Sequence, residues 1–183
     1  MSIEQPPGMD RVLFTEEQVE VRIREVAAEI SERYRGRRLK LIGVLKGSVF
    51  FLTALARHIE IPVQIDFLAI SNFAPHKAGP GIVRIAKDLD EPIEGDDILV
   101  VEDIVDTGFT LRYLLQTLAG RGPNSLGICT LLDRTSRRIV QVPVEFRCFE
   151  IGDHFVVGCG LDHKQLYRNL GYLAVLKPDP PKS

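Results

Sequence analysis

The sequence predicts an α/β fold, a twisted and mainly parallel sheet flanked by helices. Three observations carry that expectation. From Leu39 to Leu132 strand-like and helix-like segments alternate. The strand-like segments are uninterrupted apolar runs, the pattern of strands buried on both faces. A chain of 183 residues, 45% of them hydrophobic, is long enough for one substantial core, and the usual domain size argues against two. In such a sheet ligands bind outside the carboxyl ends of the strands, so motifs placed there carry the most weight.

Taken in order, Val19, Ile23, Val26, Ala27 and Ile30 recur at three- and four-residue steps, and Thr15 followed by Gln18 forms a capping box. This predicts an amphipathic helix over 15–34, ending near Gly36. Residues 39–45 read as a short strand bounded by Lys46-Gly47, residues 49–58 as a helix, and residues 63–70 as a β-branched strand. Segment 71–81 contains Pro75, Gly79, Pro80 and Gly81, continues neither period, and is expected to be a mobile surface loop. Its flanks, 65–70 and 82–86, are able to pair as a hairpin. After the Gly95-Asp96-Asp97 turn, residues 98–101 read as a buried strand, 111–118 as a helix and 125–132 as another buried strand. Short strands are expected at 144–149, 155–157 and 172–176, with a disordered Pro-rich tail over 178–183.

The formal charge of -2 provides no broad basic field for a nucleic-acid backbone and favours small-molecule partners. Cys129, Cys148 and Cys159 are odd in number, lie in apolar surroundings and lack CxxC spacing, so neither a disulfide framework nor zinc is suggested. His58, His76, His154 and His163 show no paired ligand spacing. The first ten residues lack an apolar signal region, and no stretch approaches the roughly 20 apolar residues of a membrane span. The expectation is a single cytoplasmic domain over 1–183, with its core at about 12–177 and no membrane partner.

The segment Val100-Val101-Glu102-Asp103-Ile104-Val105-Asp106-Thr107-Gly108-Phe109-Thr110 places two adjacent acids at a strand's end and a third acid three residues on. Hydroxyls stand beside glycine where a helix starts. Exposed amides and the positive end of the helix dipole attract a phosphate. Gly108 lets the backbone approach it, and Thr107 and Thr110 add donors. The pair Glu102 and Asp103 suits a ribose diol and favours positive charge developing at the sugar carbon. On composition alone, a solvated turn and an ordinary capped helix are the plainer readings. An EF-hand loop fails, because Asp103 and Asp106 are three apart and no acid closes the twelfth position.

That string resembles the phosphoribosyl pyrophosphate (PRPP) motif of type I phosphoribosyltransferases, in its hypoxanthine-guanine form. The similarity runs from Leu41 to Leu176 and takes in Val44-Leu45-Lys46-Gly47-Ser48, Lys87-Asp88-Leu89-Asp90, Ile128-Cys129-Thr130-Leu131-Leu132-Asp133 and Phe155-Val156-Val157-Gly158. It implies the type I phosphoribosyltransferase fold, with a small hood built from the two terminal segments and a mobile loop. It also implies purine salvage: transfer of the 5-phosphoribosyl group from PRPP to hypoxanthine or guanine, with xanthine a further candidate, giving IMP or GMP and pyrophosphate. By this resemblance Glu102 and Asp103 hold the ribose hydroxyls. Asp106, Thr107, Gly108, Phe109 and Thr110 wrap the 5′-phosphate, and Asp106, near N7 of the purine, is the catalytic acid/base.

Lys46 and Gly47 match the family's pyrophosphate loop, where a non-proline cis peptide commonly precedes the lysine, and Arg168 matches a second cationic contact. Taken alone, Lys46-Gly47 is a plain strand-to-helix turn, and Asp162 and Arg168 are surface ion-pair partners. The resemblance makes Glu102, Asp103 and Asp162 ligands or neighbours of Mg2+. It places Phe155 on the purine face and Val156 and Asp162 at its edge, and it puts Arg134 where the family has a lysine on the 6-oxygen. Two departures stand out. Ser71-Asn72 replaces a Ser-Tyr at the start of the mobile loop, with Phe73 one place later, and Cys159 and His163 replace tyrosines. Family members suggest a homodimer or homotetramer. The alternative from another class is a PRPP-sensing regulatory protein that keeps the fold and binds nucleic acid; the near-neutral charge and the lack of a helix-turn-helix speak against it.

Overall fold

The computed structural model describes residues 6–73 and 82–177. Helix α1 (Glu16–Arg33) starts where the capping box predicts. Thr15 Oγ1 accepts from the Gln18 amide at 3.3 Å, and the Thr15 amide donates to Gln18 Oε1 at 2.9 Å. Its stripe of Val19, Ile23, Val26, Ala27 and Ile30 is buried.

Strands β2 (Leu39–Leu45), β3 (Val63–Phe73), β4 (Ile82–Lys87), β5 (Asp97–Val105), β6 (Ser125–Asp133) and β7 (Val144–Glu150) form one sheet in the order β4-β3-β2-β5-β6-β7. All neighbours are parallel except β4 on β3. Because successive side chains point to opposite faces, each apolar strand feeds two cores. Leu39, Leu41, Leu99, Val101, Cys129 and Leu131 pack with α1 and with Phe51, Leu52 and Leu55 of α2 (Ser48–Ala56). Ile42, Val44, Ile98, Val100 and Ile128 pack on the other face with Leu111, Leu114 and Leu118 of α3 (Phe109–Ala119).

A second, antiparallel sheet joins β1 (Met9–Phe14) to β9 (Leu173–Leu176) and β9 to β8 (Phe155–Val157). Val156 and Leu173 of this sheet belong to the same buried cluster as α1 and α2. Strand β1 has no counterpart in the sequence reading: its exposure pattern lacks alternation, and its ladder partners lie at the opposite end of the chain, from Met9 on Leu176 to Phe14 on Leu173.

Two expectations need correction. Ser71, Asn72 and Phe73 are not the start of a loop; they are the last residues of β3, paired with Arg84, Val83 and Ile82 of β4. The remainder of the expected loop, residues 74–81, and the tail from 178 lie outside the described residues. Glu102 and Asp103 do not end their strand either. The ladder continues to Val105, with Glu102 opposite Thr130 and Val105 opposite Asp133, because β6 is long enough to keep pairing past the acids.

Candidate active site

Strand β2 pairs with β3 on one side and with β5 on the other, so the chain direction across the sheet reverses between β2 and β5. At such a switch point the loops that follow the two strands part and leave a crevice at their carboxyl ends. The turn after β2 is Lys46-Gly47, and the peptide bond between Leu45 and Lys46 is cis. The loop after β5 is Asp106 to Gly108. The turn packs against the last residues of β5: a Cβ on Gly47 would overlap the Asp103 carboxylate.

The loop from Asp106 into α3 has its carbonyls turned inward. Thr107 O accepts from the amides of Ile139 and Val140 at 3.0 and 2.9 Å, while Gly108 O makes the first hydrogen bond of α3, accepting from the Arg112 amide at 2.9 Å. Gly108 sits at φ +89°, and a Cβ there would overlap the Val140 carbonyl, so both the left-handed backbone and the close packing require glycine. Among the described residues, the amides of Thr107, Gly108, Phe109 and Thr110 have no protein acceptor. They form an open cradle of N–H groups at a helix N-terminus, suited to a phosphate.

The segment after β6 closes one side of the cradle. Arg134 is buried; its Nη1 donates to Asp106 Oδ2 at 3.3 Å, and its Nη2 donates to the His154 carbonyl. Arg137 approaches Asp106 Oδ1 at 3.7 Å. Two buried atoms in this group lack a hydrogen-bond partner, Arg134 Nε and Asp106 Oδ1.

The opposite side comes from the chain between β8 and β9. Gly158 and Leu161 bond each other through both backbone groups, as do His163 and Leu166, making two tight turns in which Cys159, Lys164 and Gln165 adopt positive φ. A Cβ on Gly160 would overlap the Gly47 carbonyl, so this hairpin lies directly on the Lys46-Gly47 turn. Arg168 Nη1 donates to Gly160 O at 2.7 Å, and its Nη2 pairs with Asp162 Oδ1 at 2.6 Å. The Gln165 amide donates to Asp162 Oδ2 at 2.8 Å. Arg168 and Asp162 are thus an ion pair, as their chemistry alone suggests, but one lodged against the crevice rather than on open surface. Phe155 is 49% exposed, unusual for an aromatic on a strand, with its ring edge-on to His163 at 5.5 Å. Val156, its neighbour, is buried.

The electrostatics of the crevice are set by burial. Glu102 is held well above the usual carboxylate range, first by loss of solvent and then by the neighbouring Asp103. Asp103 is also raised by burial; the amide of Ile104, at 2.9 Å, and the nearby Arg168 act in the opposite direction, while Asp162 adds to the rise. Adjacent buried acids of this kind call for a cation or for hydroxyl donors. Among the described residues no set of three or more His, Cys, Asp or Glu is arranged to hold a metal by itself, so Glu102, Asp103 and Asp162 do not make a closed cage. The fit is to a hard cation that keeps waters and draws further oxygens from a phosphorylated substrate, the habit of Mg2+.

Reasoning from sequence assigned no role to Arg138, Asp133 or Gly160, although Asp133 closes one of the motifs that carry the resemblance. Gly160 is visible only through its contact with Gly47. The two others had a faint signal, the run Arg134-Thr135-Ser136-Arg137-Arg138 directly after an apolar strand ending in Asp133.

Comparison with known proteins agrees with this geometry. The phosphoribosyl transferase domain family matches residues 13–164, so fold and site define a domain of that class. The hypoxanthine-guanine phosphoribosyltransferase of Mycobacterium avium is 45% identical over 179 residues, covering 94% of this chain and 88% of that protein. The crystal structure of a hypoxanthine phosphoribosyltransferase from Staphylococcus aureus superposes with a TM-score of 0.89 at 40% identity, covering 93% of each chain. The hypoxanthine phosphoribosyltransferase of Trypanosoma cruzi in complex with the product IMP gives a TM-score of 0.89 at 37% identity, over 96% of this chain and 98% of that one. The chain belongs to the hypoxanthine-guanine phosphoribosyltransferase family.

Proposed function

We propose that this protein is a purine-salvage transferase that moves the 5-phosphoribosyl group of PRPP onto hypoxanthine or guanine, forming IMP or GMP and pyrophosphate. The observation that carries this reading is the convergence, at one switch point, of an open cradle of amides, the acid pair Glu102 and Asp103, and the Lys46-Gly47 turn. In this reading the amides and hydroxyls from Asp106 to Thr110 bind the 5′-phosphate and Glu102 and Asp103 accept from the ribose hydroxyls. Lys46, Gly47 and Arg168 take the pyrophosphate. Phe155 stacks on the base, the backbone of Val156 and the Asp162 region meet its edge, and Arg134 donates to the 6-oxygen. Ser71, Asn72 and Phe73 form the end of β3.

As the purine N9 forms its bond to C1′, the bond from C1′ to the pyrophosphate oxygen breaks, and configuration at that carbon inverts. The electron pair leaves with pyrophosphate, beside Lys46 and Arg168. The proton on N7 passes to the Asp106 carboxylate. In this reading Glu102 and Asp103, once ionised against the bound cation, stand near the carbon on which positive charge develops and stabilise it. Mg2+, when bound with PRPP, would supply charge neutralisation at the diphosphate, with Asp103, Glu102 and Asp162 as the carboxylates in reach. Remote binding of the 5′-phosphate orients the sugar for attack.

The same reading takes the chain as one catalytic domain with a hood made by β1, β8 and β9, working in the cytoplasm as a homodimer or homotetramer. No helix among the described residues is long and apolar enough to cross a membrane. The regulatory alternative finds no support, since the relatives matched over most of the chain are named as transferases. The decisive experiment is nucleotide formation with hypoxanthine, guanine, xanthine and adenine, each with and without Mg2+. Magnesium-dependent IMP and GMP synthesis, with adenine inert, is expected; purified protein that forms neither product would refute the assignment.

A further inference from the structure

We infer that Arg138 is the positioning residue of the phosphate cradle. Its guanidinium holds the carbonyls of Val105 and Asp106 away from the crevice, so that the amides that follow them face the 5′-phosphate. The inference rests on the reading of residues 106–110 as the phosphate site and goes beyond it by naming what orients that site.

Arg138 Nε donates to Asp106 O at 2.9 Å and Nη2 donates to Val105 O at 3.3 Å. The side chain is 7% exposed and pairs with Asp133, which is 5% exposed and also meets Arg147 Nη1 at 3.3 Å. Val105 O further accepts from the Arg134 amide at 2.9 Å, and Thr107 O is held by Ile139 and Val140. Three successive carbonyls, those of Val105, Asp106 and Thr107, are therefore captured by the segment 134–140.

A planar trans peptide carries its C=O and N–H in opposite directions. The only cis bond among the described residues is that between Leu45 and Lys46, so each captured carbonyl turns the next residue's N–H the other way. The amides of Asp106, Thr107 and Gly108 are turned away from segment 134–140 for that reason. Without the guanidinium, Asp106 O would lose its donor, and the peptide between Asp106 and Thr107 would be free to turn its carbonyl oxygen toward an incoming phosphate. The pairing with Asp133 keeps the arginine neutralised from behind. Its effect on a phosphate therefore comes through peptide orientation rather than through direct attraction.

The test compares inhibition constants of IMP and inosine, which differ only by the 5′-phosphate, in the full-length protein and in Arg138→Met and Arg138→Lys. Arg138→Met should weaken IMP about 10-fold or more while leaving inosine within about twofold, and should raise KM for PRPP in step with IMP. Arg138→Lys keeps the charge beside Asp133 but not the fork, and should weaken IMP about fivefold. Pyrophosphate affinity should be unchanged in both. If Arg138→Met does not fold, the lysine variant decides. An unchanged ratio of IMP to inosine affinity in a folded variant overturns the inference, as does equal weakening of both ligands, the signature of a merely structural arginine. If the wild-type protein binds IMP no more tightly than inosine, the phosphate assignment itself is wrong and the inference falls with it.

Discussion

Asp106 illustrates how much chemistry one side chain takes from its neighbours. Its carboxylate is shared between Arg134 at 3.3 Å and Arg137 at 3.7 Å, yet Oδ1 keeps no hydrogen bond of its own. Replacing Asp106 with Asn preserves shape and removes basicity, so kcat should fall about 10²- to 10⁴-fold while KM for PRPP changes little; steady-state kinetics with hypoxanthine checks this, and an unaltered kcat would end the assignment. Arg134 was readable in sequence as a cation in a lysine's place. Its tie to Asp106 was not, because the contact joins the loops after two different strands, β5 and β6.

At the scale of the elements, what matters is how the turn after β2 fits the end of β5. Gly47 begins α2 with ordinary helical dihedrals, φ -61° and ψ -41°, so nothing in its backbone demands glycine. The demand comes from Asp103, whose carboxylate occupies the space of a Cβ; the contact of Gly160 with the Gly47 carbonyl requires glycine at 160 instead. Gly47→Ala must displace the Asp103 side chain. We expect kcat/KM for PRPP to drop at least about 10-fold with a stability loss of about 1–3 kcal/mol; kinetics and thermal melts read the two effects separately. The helices and central strands were legible because their apolar periodicity is local, and α1 even declared its first turn through Thr15 and Gln18. Strand β1 was not legible, and neither was the continuation of β3 through Phe73. Both depend on partners, β9 and β4, that propensity does not reveal.

For the whole molecule, burying Glu102 beside Asp103 makes stability depend on pH. Glu102 is raised in the folded protein relative to the unfolded chain, chiefly by burial. Its contribution is therefore fully present below the ordinary carboxylate pKa of about 4.3 and is lost as pH climbs toward the raised value, at up to about 1.4 kcal/mol per pH unit. Glu102→Gln removes this dependence. Thermal melts of the unliganded proteins should converge near pH 5 and show the variant more stable at pH 8; a wild type that gains on the variant as pH rises would contradict the assigned direction. Bound PRPP with Mg2+ should reduce the difference, since the ligand supplies the charge and the hydroxyl donors that the free crevice lacks.

The amino-acid sequence by itself determined the alternation of strand and helix, the two-faced burial of the central strands, and the identity of the acid, glycine and hydroxyl residues around Asp106. Those properties are local: side-chain periodicity, capping and short spacings act within a few residues of one another. Tertiary structure decided which of these groups face one another. The reversal of direction between β2 and β5 set Gly47 against Asp103, the hairpin before β9 brought Arg168 and Gly160 over them, and the chain after β6 delivered Arg134 and Arg138 to Asp106. Such contacts span tens of residues, and they follow from strand order, which no single segment encodes.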